Sequence, residues 1–208
     1  YVGLIPVQDG NPVPIRVAQV VGRMMGGGVE ATVMNHYRHI DRSQVQFDFI
    51  VQTDSTVVPK DEIESLGGRV FYVPPYSNPV KYVNACRQLF QQIHPHMNAV
   101  SVFTLMAAKQ AGVPVRIAHS HSTSNPNEKA KTLVKNVLRP FSKVYPTHLA
   151  ACSEYAARWL FGDQVVDAKQ VHIIHNAIDI DRFTFNSQSR AIKRDELGVG
   201  DSQLLIGQ

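Results

Sequence analysis

Residues 171–183 read VHIIHNAIDIDRF. The first four are β-rich, and a polar turn follows them. Asn176 can close that turn with its carboxamide and tolerates unusual backbone angles. Asp179 stands where a short helix would begin and can accept backbone N–H groups there. Ile178 and Phe183 are apolar and are expected to pin the segment to a core. Ala177 excludes a turn that demands positive φ at that position. By its chemistry the stretch is a strand running into a structured crossover.

Working outward, apolar runs alternate with helical patterns almost throughout. Strands are expected at 15–21, 45–51, 70–73, 115–119, 148–152 and 171–174. Helices are expected at 29–40, 78–92, 99–111, 128–143 and 154–161, the last capped by Ser153. Repeated βα alternation implies a parallel sheet covered on both faces, with ligands outside the carboxyl ends of its strands. Two places are irregular. A buried strand is expected before His94, yet only Ile93 separates that residue from the preceding helix, so the strand is reduced or residues are missing. The stretch 204–208 reads as the opening strand of a further domain after a helix at 191–197.

The 208 residues suit one domain and the start of another, and 44% hydrophobic content is enough for a core. No run of about 20 apolar residues occurs, so no membrane-spanning helix is expected. No secretory signal is visible. Two cysteines, Cys86 and Cys152, lie far apart, Cys152 as a small buried hydrophobe. A reducing cytosol follows as the default. A net charge of +4 favours anionic partners such as a nucleotide diphosphate, a lipid phosphate or an anionic membrane. Nucleic acid is disfavoured, because aromatics do not interleave with a basic stripe.

Four constellations could carry chemistry. GRMMGGGVEATVMN (22–35) follows the first strand, and its glycines let the backbone approach an anion at a helix N-terminus. Its Glu30 is either a ligand contact or a first-turn acid favoured by the helix dipole. RIAHSHSTSN (116–125) ends a strand at His119, and period-two alternation puts His119 and His121 on one side. An imidazole there can serve a phosphate or a sugar hydroxyl. A metal is not expected, since no Cys, Asp or Glu lies near in sequence to complete a site. His94–His96 with Asn98 forms the third set, in which Asn98 can instead cap the next helix. The fourth is the basic amphipathic helix 128–143, which either packs on the sheet or rests on anionic lipid. His36 and His39 are read as solvated, and His175 as approaching the cleft.

These residues resemble glycosyltransferase family four, the GT-B family of retaining sugar transferases. Asn176, Ala177, Ile178, Asp179 and Phe183 resemble its Asn-Gly-Ile/Val-Asp…Phe element, with Ala177 in place of the usual Gly. Gly27, Gly28 and Glu30 match its Gly-Gly-x-Glu loop. His121 is the better match to the His that ends the corresponding strand. Residues 94–98 resemble its His-x-His segment, with an unusual Pro95 between the two His.

The resemblance implies an α/β fold: a Rossmann-like doubly wound parallel sheet, the N-terminal half of a GT-B two-domain fold. It implies an N-terminal extension at 1–14, an acceptor-side domain at 15–185, and a linker with the start of a truncated donor-binding domain at 186–208. The implied activity, of the capsular or exopolysaccharide type, moves a hexose with retention from a nucleotide sugar, UDP-linked, to a polysaccharide or lipid-linked sugar. Catalysis would fall to His121. The donor diphosphate would fall to Gly27, Gly28 and Glu30, and the acceptor side to His96, Asn98, His119 and Ser122. No metal or other cofactor is implied. Location would be cytoplasmic, with peripheral contact to the inner membrane face through 128–143. The rival is a non-catalytic sugar- or partner-binding Rossmann-like domain. A GT-B epimerase is less suited, because no carboxylate pair stands near the strand ends.

Overall fold

The computed structural model describes residues 7–8, 11–93, 96–99, 101–121 and 138–206. Two compact units are distinguished, 1–177 and 178–208.

In the first unit a two-residue antiparallel pair, β1 (Val7–Gln8) and β2 (Asn11–Pro12), precedes the main sheet. The main sheet holds β3 (Ile15–Gly22), β4 (Val45–Gln52), β5 (Arg69–Val73), β6 (His96–Ala99), β7 (Arg116–Ser120), β8 (His148–Ala151) and β9 (Val171–Ile173). Their order is β5-β4-β3-β6-β7-β8-β9, and every pair is parallel. The order reverses between β3 and β6. That reversal is the switch point at which doubly wound sheets bind ligands.

Period-two alternation sorts the core onto the two faces. Val17 and Val21 of β3, with Phe47 and Phe49 of β4, face α1 (Gly28–His39) and α2 (Lys60–Ser65). Tyr37 fills that layer, stacked on Phe47 at 5.2 Å and edge-on to Phe49 at 5.4 Å. Its hydroxyl donates to Gln46 Oε1 at 2.7 Å, which satisfies the one polar atom it buries. On the other face Ala18, Val20 and Ile50 meet Tyr82, Cys86 and Phe90 of α3 (Pro79–Ile93) and Leu105 of α4 (Val102–Gln110). The helix Glu154–Phe161 closes the same layer through Ala157 and Phe161, and Ser153 Oγ accepts from the Ala156 N–H at 3.2 Å.

Several expectations need correction. The sequence reading misses the helices Lys60–Ser65 and Asp163–Asp167, which are too short to show a period. The strand expected before His94 lies after it, as β6, and its backbone pairs with both β3 and β7. Pairing claims residues 96–99, so α4 starts at Val102 with Ser101 as its N-cap residue. Asn98 is therefore not the N-cap residue of α4; its backbone belongs to the sheet. Of the basic helix 128–143, residues 128–137 lie outside the described residues. Its carboxyl end, Arg139–Lys143, is a 3-10 helix with a proline in its first turn rather than an α-helix.

The second unit holds a 3-10 turn, Ile180–Phe183, and a helix, Ser187–Glu196, whose N-cap Asn186 Oδ1 accepts from the Ser189 N–H at 2.8 Å. Asp179 occupies the N-cap of the 3-10 turn as expected, but its side chain accepts no capping bond. Ile178 and Phe183 are 62% and 72% exposed, so they do not anchor the segment. Residues 204–206 form no strand, having no paired neighbour among the described residues.

Candidate active site

Chemistry-bearing residues gather at the carboxyl edge of the main sheet. β3 ends at Gly22, whose φ of +85° is a conformation that favours glycine. The loop that follows turns again at Gly26, φ +84°, and enters α1 through Gly27. Gly27 is the N-cap residue and has no side chain to offer, so the first-turn N–H groups of α1 stay open to an outside acceptor. A Cβ on Gly28 would meet nothing within 4 Å. A Cβ on Gly27 would stand 2.6 Å from Glu30 Oε2, because Glu30 folds back over the loop. Its Oε1 accepts the Met25 N–H at 3.1 Å. In this geometry Glu30 braces the loop it follows.

Two strands along, β7 carries His119 and Ser120 and hands over to His121. Ser120 points to the α3/α4 face, where its hydroxyl donates to Ala156 O at 3.1 Å. Alternation sends both imidazoles to the α1 face, as the sequence reading expects. The rings lie 3.9 Å apart between centroids, tilted by 32°. Ala150, which pairs with His119 in β8, leaves room for them. Burial pushes the His119 pKa down to about 3, and the neighbouring His121 and His36 add to the shift. Burial and His36 lower His121 as well, while a hydrogen bond with the Asn176 side chain works in the opposite direction. Both rings are thus neutral near pH 7, and each keeps one donor and one acceptor nitrogen. Inter-strand spacing of about 4.8 Å puts the ends of β3 and β7 about 10 Å apart. That gap suits a ligand spanning a phosphate and a sugar.

The structure adds two residues to this edge. His36 is half-buried on α1 and electrostatically felt by both histidines, so it is not a solvated surface residue. Helical periodicity could have found it, since His36 lies between the buried residues Val33 and Tyr37. Asn176, exposed in the loop after β9, bears on the His121 pKa, and no local signal predicts that coupling across 55 positions. Among the described residues no group of three or more His, Cys, Asp or Glu is arranged to hold a metal.

Other candidates fare differently. Register sets His96 opposite Val17, five residues before the end of β3 and about 16 Å from the edge that carries the glycine loop. The acceptor-side reading of His96 therefore loses its positional basis. Asn98 pairs with Gln19, nearer that edge. Ser122 lies outside the described residues. His175 is exposed rather than turned to the cluster. Cys152 is only half-buried, and its Sγ contacts His121 O at 3.5 Å. A shallow depression of about 560 Å³ lies elsewhere, along the exposed side of α3 between Pro74 and Gln88.

Comparison with known proteins bears on the same residues. Residues 26–182 match the pattern of Glycosyltransferase Family 4. EpsF of Bacillus subtilis, assigned as a glycosyltransferase, is 38% identical over 205 residues, which cover 92% of this chain and 53% of EpsF. An Escherichia coli UDP-Gal:α-D-GlcNAc-diphosphoundecaprenol α-1,3-galactosyltransferase is 20% identical over 198 residues, 89% of this chain and 50% of that protein. Among solved structures, HepE of Anabaena in complex with UDP superposes with a TM-score of 0.62 at 17% identity, covering 88% of this chain and 50% of HepE. The chain spans about half the length of the curated relatives it matches.

Proposed function

This chain belongs to glycosyltransferase family 4, and on that premise we propose that it forms the acceptor-side half of a retaining GT-B glycosyltransferase. The enzyme moves a hexose from a nucleotide sugar to a polysaccharide or lipid-linked sugar acceptor. The observation that carries this reading is the neutral histidine pair at the end of β7, His119 buried and His121 half-buried, two strands from an open glycine loop.

The chemistry follows from those two features. Departure of a nucleoside diphosphate leaves positive charge on the sugar ring and negative charge on the leaving oxygens. Gly27 and Gly28 present backbone N–H groups and the positive end of the α1 dipole to the diphosphate, and neither sterically hinders its approach. Preorganised donors of this kind stabilise a leaving group without a nucleophile and without a metal. Glu30 holds the loop open by binding Met25 rather than the diphosphate, whose charge it would repel. His121, kept neutral, does not add positive charge beside the developing oxocarbenium ion. Its ring can orient a sugar hydroxyl, and its backbone carbonyl can face that charge. His119 supports the ring of His121 from behind.

A UDP-linked donor is the first to try, given the UDP bound by HepE and the UDP-galactose used by the Escherichia coli relative. The latter also motivates a diphosphate-lipid acceptor and peripheral attachment to the inner membrane face. No helix among the described residues is long and apolar enough to cross a membrane.

The test is transfer and slow hydrolysis, measured on the protein at the length of its relatives, against a panel of UDP-, GDP- and ADP-sugars. One donor should turn over, and His121→Ala should lower kcat more than it weakens donor binding. Absence of turnover with every donor favours a sugar-binding domain, and unchanged kcat in His121→Ala removes that residue from catalysis.

A further inference from the structure

Tyr76, in the loop between β5 and α3, stands at the end of the strand where the order of the main sheet reverses. A Cβ on Gly22, the last residue of β3, would lie 3.7 Å from Tyr76 Cε2 and 3.8 Å from its hydroxyl. The Tyr76 ring packs on Tyr82 of α3, with 4.4 Å between centroids. Tyr82 is fully buried; its hydroxyl meets Thr104 Oγ1 of α4 at 2.7 Å and donates to the Tyr76 hydroxyl at 3.4 Å. A phenol has one proton to give. With that proton directed to Tyr76, Thr104 is the donor to Tyr82, and the chain of hydroxyls runs outward from the core. It ends on Tyr76, which is half-buried and whose own proton has no acceptor among the described residues.

A second polar group lies on the same side of the sheet. Gln52 ends β4, and alternation puts it with Ile50 on the α3/α4 face. Its partner in β5, Val73, belongs to that core layer. Gln52 is 3% exposed, yet its Nε2 has no hydrogen-bond partner among the described residues. A buried donor left unpaired lowers stability, so an apolar side chain would serve packing better there.

We propose that Tyr76 and Gln52 form a subsite for a neutral sugar ring at the carboxyl edge, on the opposite face of the sheet from the histidine pair. This rests on the function proposed above and deepens it, by assigning the residues that hold the acceptor sugar. A pyranose has an apolar C–H face, which packs on an aromatic ring, and hydroxyl oxygens, which accept hydrogen bonds. Tyr76 supplies the ring and one O–H. Gln52 supplies an N–H, and its soft terminal torsion lets the amide turn toward a ligand at the strand end. Both donors are uncharged, so they read hydroxyl rather than phosphate oxygens.

Saturation-transfer NMR reads binding without turnover. The protein is taken at the length of its relatives, with the methyl α-glycosides of glucose, galactose and N-acetylglucosamine as probes. At least one glycoside should bind. Tyr76→Phe keeps the ring and should weaken binding about two- to tenfold. Tyr76→Ala removes the ring as well and should abolish the signal. Gln52→Met should weaken binding as Tyr76→Phe does while its urea midpoint holds or rises, a combination that a purely structural role would not give. In transfer assays the loss in Tyr76→Phe should fall on the acceptor KM rather than on kcat. If no glycoside binds the wild-type protein, or if Tyr76→Phe and Gln52→Met both bind as wild type does, the proposal is wrong. Unchanged binding in one variant alone removes that residue from the subsite. If binding depends on Tyr76 but no donor sugar turns over, the subsite stands and the transferase reading fails instead.

Discussion

Replacing Asp48 by Asn removes the charge from a carboxylate whose side chain has no exposed surface. Asp48 lies in β4, directly opposite Arg69 of β5 and diagonal to Arg16 of β3. Arg69 donates to it through Nε at 2.9 Å and Nη2 at 2.6 Å. Arg16 donates through Nε at 3.1 and 3.0 Å to its two oxygens, and through Nη2 as well. Burial pushes the carboxyl pKa up, but the hydrogen bonds and charges of Arg69 and Arg16 together outweigh it, and the folded-state value falls below the ordinary one. Removing one partner of a buried ion pair costs about 3–5 kcal/mol. Here the two guanidinium groups are 28% and 45% exposed and can recover water, so the lower end applies, about 3 kcal/mol. For a domain of this size that corresponds to a fall in melting temperature of about 6–12 °C. The pH dependence has a definite sign. A depressed carboxyl pKa contributes stability that is present above the unfolded value, about 3.9, and lost as pH falls through the folded value. The gap between wild type and Asp48→Asn should therefore be full at pH 7 and close progressively below pH 4. Urea unfolding at pH 7 and near pH 3 measures it. A variant within about 1 kcal/mol of wild type at pH 7, or a gap indifferent to pH, would falsify the account of Asp48 as the clasp of the first three strands of the main sheet.

Gly28→Ala should stabilise α1 by about 0.4–1 kcal/mol, since Gly28 is helical and its Cβ would meet open space, yet raise the donor KM by crowding the diphosphate; thermal melting and donor kinetics should move in opposite senses. His119→Asn should flatten the acid limb of stability between about pH 6.5 and 4. The depressed His119 pKa makes the unfolded chain bind more protons in that window, and so makes the wild type lose stability as pH falls through it. Equal slopes in the two proteins would count against a buried neutral imidazole. Ser153→Ala should cost about 1 kcal/mol through loss of the cap on the Ala156 N–H, read as an earlier urea midpoint with an unchanged m-value.

The sequence by itself determined the architecture. Alternating apolar runs and helical periods specify a parallel doubly wound sheet, because one strand face or one helix stripe must bury itself whatever the details. Glycines 26–28 and the His-Ser-His strand end were legible because loop chemistry and period-two alternation are local properties. Tertiary structure alone decided three further matters. Residues 96–99 became a strand because β3 and β7 offered paired backbone on both sides, which a window centred on His-Pro-His cannot show. Glu30 became a brace for its loop because its carboxylate found the Met25 N–H. His36 and Asn176 bear on the His121 pKa because α1 and the loop after β9 meet, with Asn35 Nδ2 donating to Ala177 O. Periodicity fixes which way a side chain faces; only the assembled sheet and its helices fix what it meets there.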